Sequence, residues 1–246
     1  MSAPPAPRPG TVLPPPVRSF HPRRGRLTPT QRDALERLWP RYGIDVDCRP
    51  LDLAARFGPG VPVVLEIGPG MGEATAALAA AQPQVGVLAV DVHTPGLGQL
   101  LHYLERDRLP NVRVARGDAV EVLRDMLGPG SLSGVRVFFP DPWPKTRHHK
   151  RRLVQPGFAA LVAGRLAAGG FVHCATDWPP YAAQMLAVLS AQPLLRNDHP
   201  GPAPRPPDRP LTRYERVGLA QGRPVTDLCF TRLAPSPGRS DHAPRA

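Results

Sequence analysis

Lysine is almost missing from this chain. Of its 246 residues, 31 are lysine or arginine, and only Lys145 and Lys150 are lysine. An ammonium is a compact point charge and a guanidinium a planar fork, so two lysines in one short segment mark a place where arginine does not serve equally well. Cysteine is nearly as scarce. Cys48, Cys174 and Cys229 are odd in number and show no CxxC spacing. That argues against a disulfide framework and against a zinc site, and it fits a reducing, cytoplasmic setting. Acids are few beside bases, 20 against 31, for a net charge of +11. Such an excess favours a polyanionic partner, nucleic acid before an anionic membrane surface. No apolar run is long enough to span a bilayer. The start, Met1-Ser2-Ala3-Pro4-Pro5, lacks the apolar centre of a signal peptide.

Proline is abundant, with 35 residues, and it crowds the ends. Residues 1–22 read as a disordered Pro-rich arm, residues 23–233 as one domain and residues 234–246 as a disordered tail. After the basic cluster Arg23-Arg24-Gly25-Arg26, Thr28-Pro29-Thr30-Gln31 has the form of a capping box with proline at the first helical position. Ala34, Leu35, Leu38 and Trp39 then form one face of a short helix expected to end near Pro40.

From Val61 onward, strand and helix patterns alternate. Strands are predicted over Val63–Ile67, Val85–Val90, Val112–Ala115, Val135–Phe139 and Gly170–Ala175. Helices are predicted over Glu73–Ala81, around Leu97–Leu104, briefly after Asp118, over Gln155–Leu166 and over Pro179–Ser190. A further strand is expected near Pro193–Asn197, and Thr226–Arg232 reads as a last, antiparallel strand. This order predicts an α/β fold, a doubly wound, mostly parallel sheet of Rossmann-like type with helices on both faces.

In such sheets, ligands sit at the carboxyl ends of the strands, near the point where strand order reverses. Asp91, Asp118, Asp141 and Asp177 each follow a predicted strand. A single aspartate there often serves only a local turn; four on one rim point to a site. The loop Gly68-Pro69-Gly70-Met71-Gly72 spaces its glycines as GxGxG, whereas a dinucleotide fingerprint is GxGxxG. Glu66, just before it, suits a cationic amino-acid moiety better than a pyrophosphate. Asp91, about twenty residues on, is placed to accept both hydroxyls of a ribose. The combination resembles the S-adenosylmethionine loop of class I methyltransferases, with Asp118 near the adenine.

The most unusual stretch leaves the fourth predicted strand. Phe139-Pro140-Asp141-Pro142-Trp143-Pro144 is a turn stiffened by proline, and Lys145-Thr146-Arg147-His148-His149-Lys150-Arg151-Arg152 follows as a basic run. This segment resembles the signature of bacterial tRNA (guanine-N7)-methyltransferases. Arg24…Gly25-Arg26, Thr176-Asp177-Trp178 and Thr212…Tyr214-Glu215 are similar to that family's pattern too, and the likeness extends over roughly residues 18–233, with the proline-rich ends and the Pro-rich insertion around 199–210 outside it. The resemblance implies an enzyme that methylates a variable-loop guanine of tRNA from S-adenosyl-L-methionine. It assigns Glu66, Gly68, Gly70, Asp91, Asp118 and Asp141 to the donor, with Asp141 also catalytic. Lys145, Asp177, Thr212, Arg213, Tyr214 and Glu215 are then expected to contact substrate. Arg147, His148, His149, Lys150, Arg151 and Arg152 are expected to meet RNA phosphates. Trp143 can wall the base or simply pack. No metal is implied, since His148 and His149 have no third ligand at suitable spacing. Whether the protein is a monomer or a homodimer is left open. Asp91 departs from the glutamate common in the family, and the shorter acid still reaches a ribose.

Other classes compete. A nucleotide-dependent oxidoreductase conflicts with GxGxG and Glu66, and an inert RNA-binding relic conflicts with four retained acids. A DNA amino-methyltransferase would keep a second proline before the aromatic, where this chain has Asp141-Pro142-Trp143-Pro144. Because no core residue is assigned to the arm, deletion of residues 1–17 is expected to leave donor affinity unchanged, as measured by calorimetric titration.

Overall fold

The computed structural model of the protein describes residue 20 and residues 25–234. Arg23, Arg24 and nearly all of the two tails lie outside the described residues. The first helix, α1 (Pro29–Tyr42), begins at the expected capping box. Thr28 Oγ1 accepts from the Gln31 backbone N–H at 3.2 Å, and Gln31 Oε1 accepts from the Thr28 N–H at 3.0 Å. The helix runs past Pro40 to Tyr42, because Ala34, Leu38 and Tyr42 keep one face buried through the last turn.

A two-residue strand β1 (Gly43–Ile44) and a short helix α2 (Leu53–Phe57) follow, both too short to carry a periodic signal. The regular alternation comes next: β2 (Val63–Ile67), α3 (Glu73–Ala81), β3 (Gly86–Asp91), α4 (Thr94–Arg106) and β4 (Val112–Arg116). Helix α5 (Ala119–Glu121) continues as a π-turn over Val122–Met126. Then come β5 (Leu132–Phe138), a 3₁₀ turn (Thr146–Arg151), α6 (Pro156–Arg165), β6 (Leu166–Thr176) and α7 (Pro179–Ser190). The chain closes with β7 (Leu195–Asn197), α8 (Arg213–Ala220) and β8 (Thr226–Arg232).

The eight strands form one sheet in the order β1-β4-β3-β2-β5-β6-β8-β7. Strands β4, β3, β2, β5 and β6 are mutually parallel, and β8 runs antiparallel to both β6 and β7. The middle strands are buried on both faces, as parallel strands covered by helices must be. Val63, Leu65, Leu88 and Val90 pack toward α6, α7 and the π-turn. Val87, Ala89, Val112 and Val114 pack toward α1, α3 and α4. From β2 the chain winds outward through β3 and β4, then returns to place β5 on the other side of β2. The switch point therefore lies between β2 and β5, and the carboxyl ends of those strands open the crevice.

Candidate active site

The strands end at one level. Ile67 pairs with Val90 of β3 and with Val137 of β5, Asp91 pairs with Arg116 of β4, and Phe138 pairs with Ala175 of β6. Backbone bonds continue just beyond the strands, from Gly68 N–H to the Val90 carbonyl at 2.9 Å and from Phe139 N–H to the Ala175 carbonyl at 2.8 Å. With neighbouring strands about 4.8 Å apart, Asp118, Asp91, Glu66, Asp141 and Asp177 line a single rim in that order.

At its centre lies the glycine loop. Gly68, Gly70 and Gly72 all take left-handed backbone angles, φ 74°, 61° and 84°. A Cβ on Gly68 or Gly70 would meet nothing within 4 Å, so this backbone faces open space. A Cβ on Gly72 would strike Leu100 of α4 at 2.6 Å. Gly96, in the first turn of α4, packs directly on the Gly70 carbonyl. The loop is thus pinned from behind and bare in front.

Glu66 is buried, with the Thr75 hydroxyl and the Arg136 guanidinium as its polar neighbours. Arg136 pairs in register with Glu66 from β5. Burial pushes the Glu66 carboxyl above its ordinary range, and Arg136 offsets part of that shift. Its Oε2 has no hydrogen-bond partner within the protein. Asp91 Oδ1 accepts from the His93 N–H at 2.9 Å, and burial raises this carboxyl too. Asp118 caps α5, accepting from the Val120 N–H at 2.9 Å. A buried carboxylate oxygen lacking a partner, an open glycine cradle and a carboxylate at the next strand end fit an adenosyl amino acid. The orphan oxygen can receive the ammonium group, the cradle the chain and Asp91 the ribose.

Beyond β5 the backbone is strained. Phe139 and Trp143 adopt φ 51° and 44°, on either side of Pro140-Asp141-Pro142. Bulky residues in this region cost about 1–3 kcal/mol each and persist only where the surroundings impose them. Trp143 is buried, with His148 edge-on at 5.7 Å and the Arg151 guanidinium 4.9 Å above its ring. Of the two roles left open for Trp143, packing is the one its surroundings show.

The basic run is a 3₁₀ turn, a structure whose side chains eclipse at every third residue. Lys145, Arg147 and Lys150 are exposed; His148 and Arg151 lie against Trp143; His149 and Arg152 turn inward. Arg152 therefore requires a correction. It is 3 % exposed and does not belong to a phosphate-facing surface. Its Nε donates to the Pro142 carbonyl at 2.9 Å and its Nη1 to Gln184 Oε1 at 2.6 Å. Both lysines are exposed.

The segment 212–215 also differs from expectation. It opens α8, a helix not anticipated from the sequence, although Thr212-x-x-Glu215 is the same kind of capping signal that marks α1. Thr212 Oγ1 accepts from the Glu215 N–H at 3.1 Å. Glu215 is buried, and its carboxylate accepts from Arg209 at 2.6 and 2.8 Å and from Arg205 at 3.0 Å. Arg209 also donates to Asp227 at 3.0 Å, and Asp227 meets His173 Nε2 at 2.8 Å. The hydroxyl oxygen of Thr212 and the carboxylate of Glu215 are thus engaged inside the protein. Tyr214 is 55 % exposed and faces Phe139, ring centres 6.5 Å apart and planes inclined by 26°. Arg213 stands on the first turn of α8. Arg216 reaches Glu73 at the start of α3 at 3.2 Å, and Arg223 Nε lies 3.0 Å from Asp177 Oδ2. Helix α8 and the turn after it consequently bridge the glycine-loop, Asp141 and Asp177 sides of the rim. Among the described residues no group of three or more His, Cys, Asp or Glu is placed to hold a metal ion.

The fold, together with the family profile that matches it, defines a methyltransferase. The profile of a family described as "Putative methyltransferase" matches residues 61–228. A tRNA (guanine-N(7)-)-methyltransferase of Streptomyces coelicolor is 62% identical over 88% of this chain and 81% of its own. One of the same name from Bordetella pertussis is 56% identical over 88% and 85%. Among solved structures, a 16S rRNA (adenine(1408)-N(1))-methyltransferase from Catenulisporales acidiphilia superposes with TM-score 0.53, at 16% identity, over 76% of this chain and 95% of that one. The antibiotic-resistance methyltransferase Kmr gives 0.52 at 16% identity, over 75% and 93%. These structural likenesses speak to the fold alone. The chain belongs to the family of bacterial tRNA (guanine-N7)-methyltransferases.

Removing Glu215 would leave the buried Arg209 guanidinium with one carboxylate partner, Asp227, in place of two. Glu215→Ala is expected to lower stability by about 1–3 kcal/mol in chemical denaturation. An unchanged unfolding midpoint with lost tRNA affinity would instead make Glu215 a direct substrate ligand.

Proposed function

We infer that the protein transfers the methyl group of S-adenosyl-L-methionine to N7 of a guanine in tRNA. The observation that carries this reading is the acid rim around the open glycine loop, in a chain whose relatives share that name along most of their length. The donor supplies a methyl group already activated on a sulfonium. Glu66 takes its ammonium, the backbone of Gly68 and Gly70 lies along its chain, Asp91 takes the ribose and Asp118 lies beside the adenine.

Guanine N7 has a lone pair and no proton, so its attack needs no general base. The protein must supply position, with N7 held in line with the methyl group. Asp141 does this by accepting from guanine N1–H and N2–H₂, and its charge offsets the positive charge that develops on the ring. Asp177, held by Arg223, supports base or donor from the neighbouring strand end. Tyr214, on the first turn of α8, approaches the substrate beside Phe139, and Arg213 belongs to the same substrate-contacting segment.

The outward face of the 3₁₀ turn meets the RNA. Lys145, Arg147 and Lys150 neutralise phosphates there, with His148, His149 and Arg151 at its margin. Base edges in the deep major groove of duplex RNA are closed to side chains, which favours a guanine exposed by tRNA tertiary structure. The partner is thus a folded tRNA, and the cytoplasm is where such a substrate is found.

Incubation with labelled donor and unmodified tRNA, followed by reduction and aniline cleavage, tests the reading. Cleavage at one guanine supports it, and label on another base would favour a methyltransferase of different specificity. Asp141→Ala is expected to lose turnover by at least a hundredfold with the melting temperature preserved; wild-type turnover would remove Asp141 from the mechanism. Lys150→Ala is expected to weaken tRNA binding and reduce the log–log salt slope by about one phosphate contact, 0.7–0.9, with donor affinity unchanged in calorimetry.

A further inference from the structure

We propose that Arg152 is a positioning residue for methyl transfer: by holding the Pro142 carbonyl it fixes the turn that presents Asp141. The proposal rests on the reading of Asp141 as the group that holds the acceptor guanine.

The guanidinium is used in three directions at once. Nε donates to the Pro142 carbonyl at 2.9 Å, Nη1 donates to Gln184 Oε1 at 2.6 Å, and the plane lies over the Tyr181 ring at 4.9 Å. Tyr181 and Gln184 are three residues apart on α7 and so share a face. The same two side chains also hold the chain just past Arg152. Tyr181 Oη accepts from the Val154 N–H at 3.0 Å, and Gln184 Nε2 donates to the Val154 carbonyl at 3.2 Å. Both ends of the 142–154 excursion are therefore tied to one patch of α7. Helix α7 begins immediately after Asp177-Trp178. The clamp thus references the turn carrying Asp141 to the neighbouring strand end that carries Asp177.

The turn requires such a hold. Phe139 and Trp143 flank Asp141 in left-handed conformations, and a free loop would relax both and carry the carboxylate away. Trp143 is fixed on its other side by Arg151 and His148. A lysine ammonium carries its three donors on one atom, so it cannot span the Pro142 carbonyl, Gln184 and the Tyr181 face in the fixed geometry of the planar fork.

The test compares Arg152→Met, Arg152→Lys and Gln184→Met with Asp141→Ala, after thermal melts, measuring kcat, tRNA Kd and its salt dependence. A displaced acceptor group predicts that kcat falls about 10- to 100-fold in Arg152→Met. Lysine should give no rescue, and tRNA Kd and salt slope should stay unchanged. A phosphate ligand predicts the reverse: weaker tRNA binding, a salt slope shallower by about 0.7–0.9 and rescue by lysine. That result overturns the proposal. If the Arg152 variants do not fold, Gln184→Met carries the test from the far side of the clamp. A several-fold loss in kcat at unchanged tRNA affinity supports the clamp, and wild-type kcat refutes it. Asp141→Ala separates the two readings. An active Asp141→Ala removes the premise, whereas an inactive one beside normal Arg152 and Gln184 variants removes the clamp alone.

Discussion

Hydrogen bonding across the parallel centre of the sheet makes β4, β3, β2, β5 and β6 end at one level, and the chemistry of the protein hangs from that edge. Without this register, acids as far apart in the chain as Glu66 and Asp177 would share no site. A parallel sheet buried on both faces leaves its strand ends as the place where backbone and ligand meet. The consequence is a division of labour along one rim. On the function proposed above, Asp118, Asp91 and Glu66 serve the donor from one side of the switch point, and Asp141 and Asp177 stand on the side that the acceptor base approaches.

The two sides are built on different physics. The donor side is an open cradle, made by glycines whose missing side chains leave room and by a buried acid with an oxygen to offer. The acceptor side is a strained, rigid turn held by a tryptophan, an arginine and the face of α7. A flexible small molecule can adapt to the first. A base presented by a large, folded RNA demands the second, because RNA docked at a distance cannot adjust within the site.

Most of the fold was legible because its signals are local and periodic. The strands from β2 to β6 announce themselves by apolar runs, and α1 by the Thr28–Gln31 box. What was illegible depended on tertiary partners. Two-residue β1 has no period, and the short helix α8 carries no local mark beyond its Thr212 and Glu215 cap. The site divides in the same way. Residue types at strand ends pointed to Glu66, Asp91 and Asp141, but exposure could not be read from charge. Arg152 and Glu215 look solvent-facing in sequence and are buried, since their partners Gln184 and Arg209 lie at positions that no spacing rule connects. The proline-rich loop around 199–210, which lay outside the family resemblance in its sequence, supplies Arg205 and Arg209 to the anchor of α8.

The threefold repeat of the 3₁₀ turn has a consequence for how this segment can change. Each residue advances the chain by about 120°, so outward, packed and inward positions recur in rotation from Arg147 to Arg152. Exchanging one outward cation for another leaves that rotation intact. Removing or inserting a single residue shifts every later side chain by a third of a turn, sending Lys150 toward the interior and Arg152 off its carbonyl. The segment is therefore open to drift in composition on one face and closed to change in length.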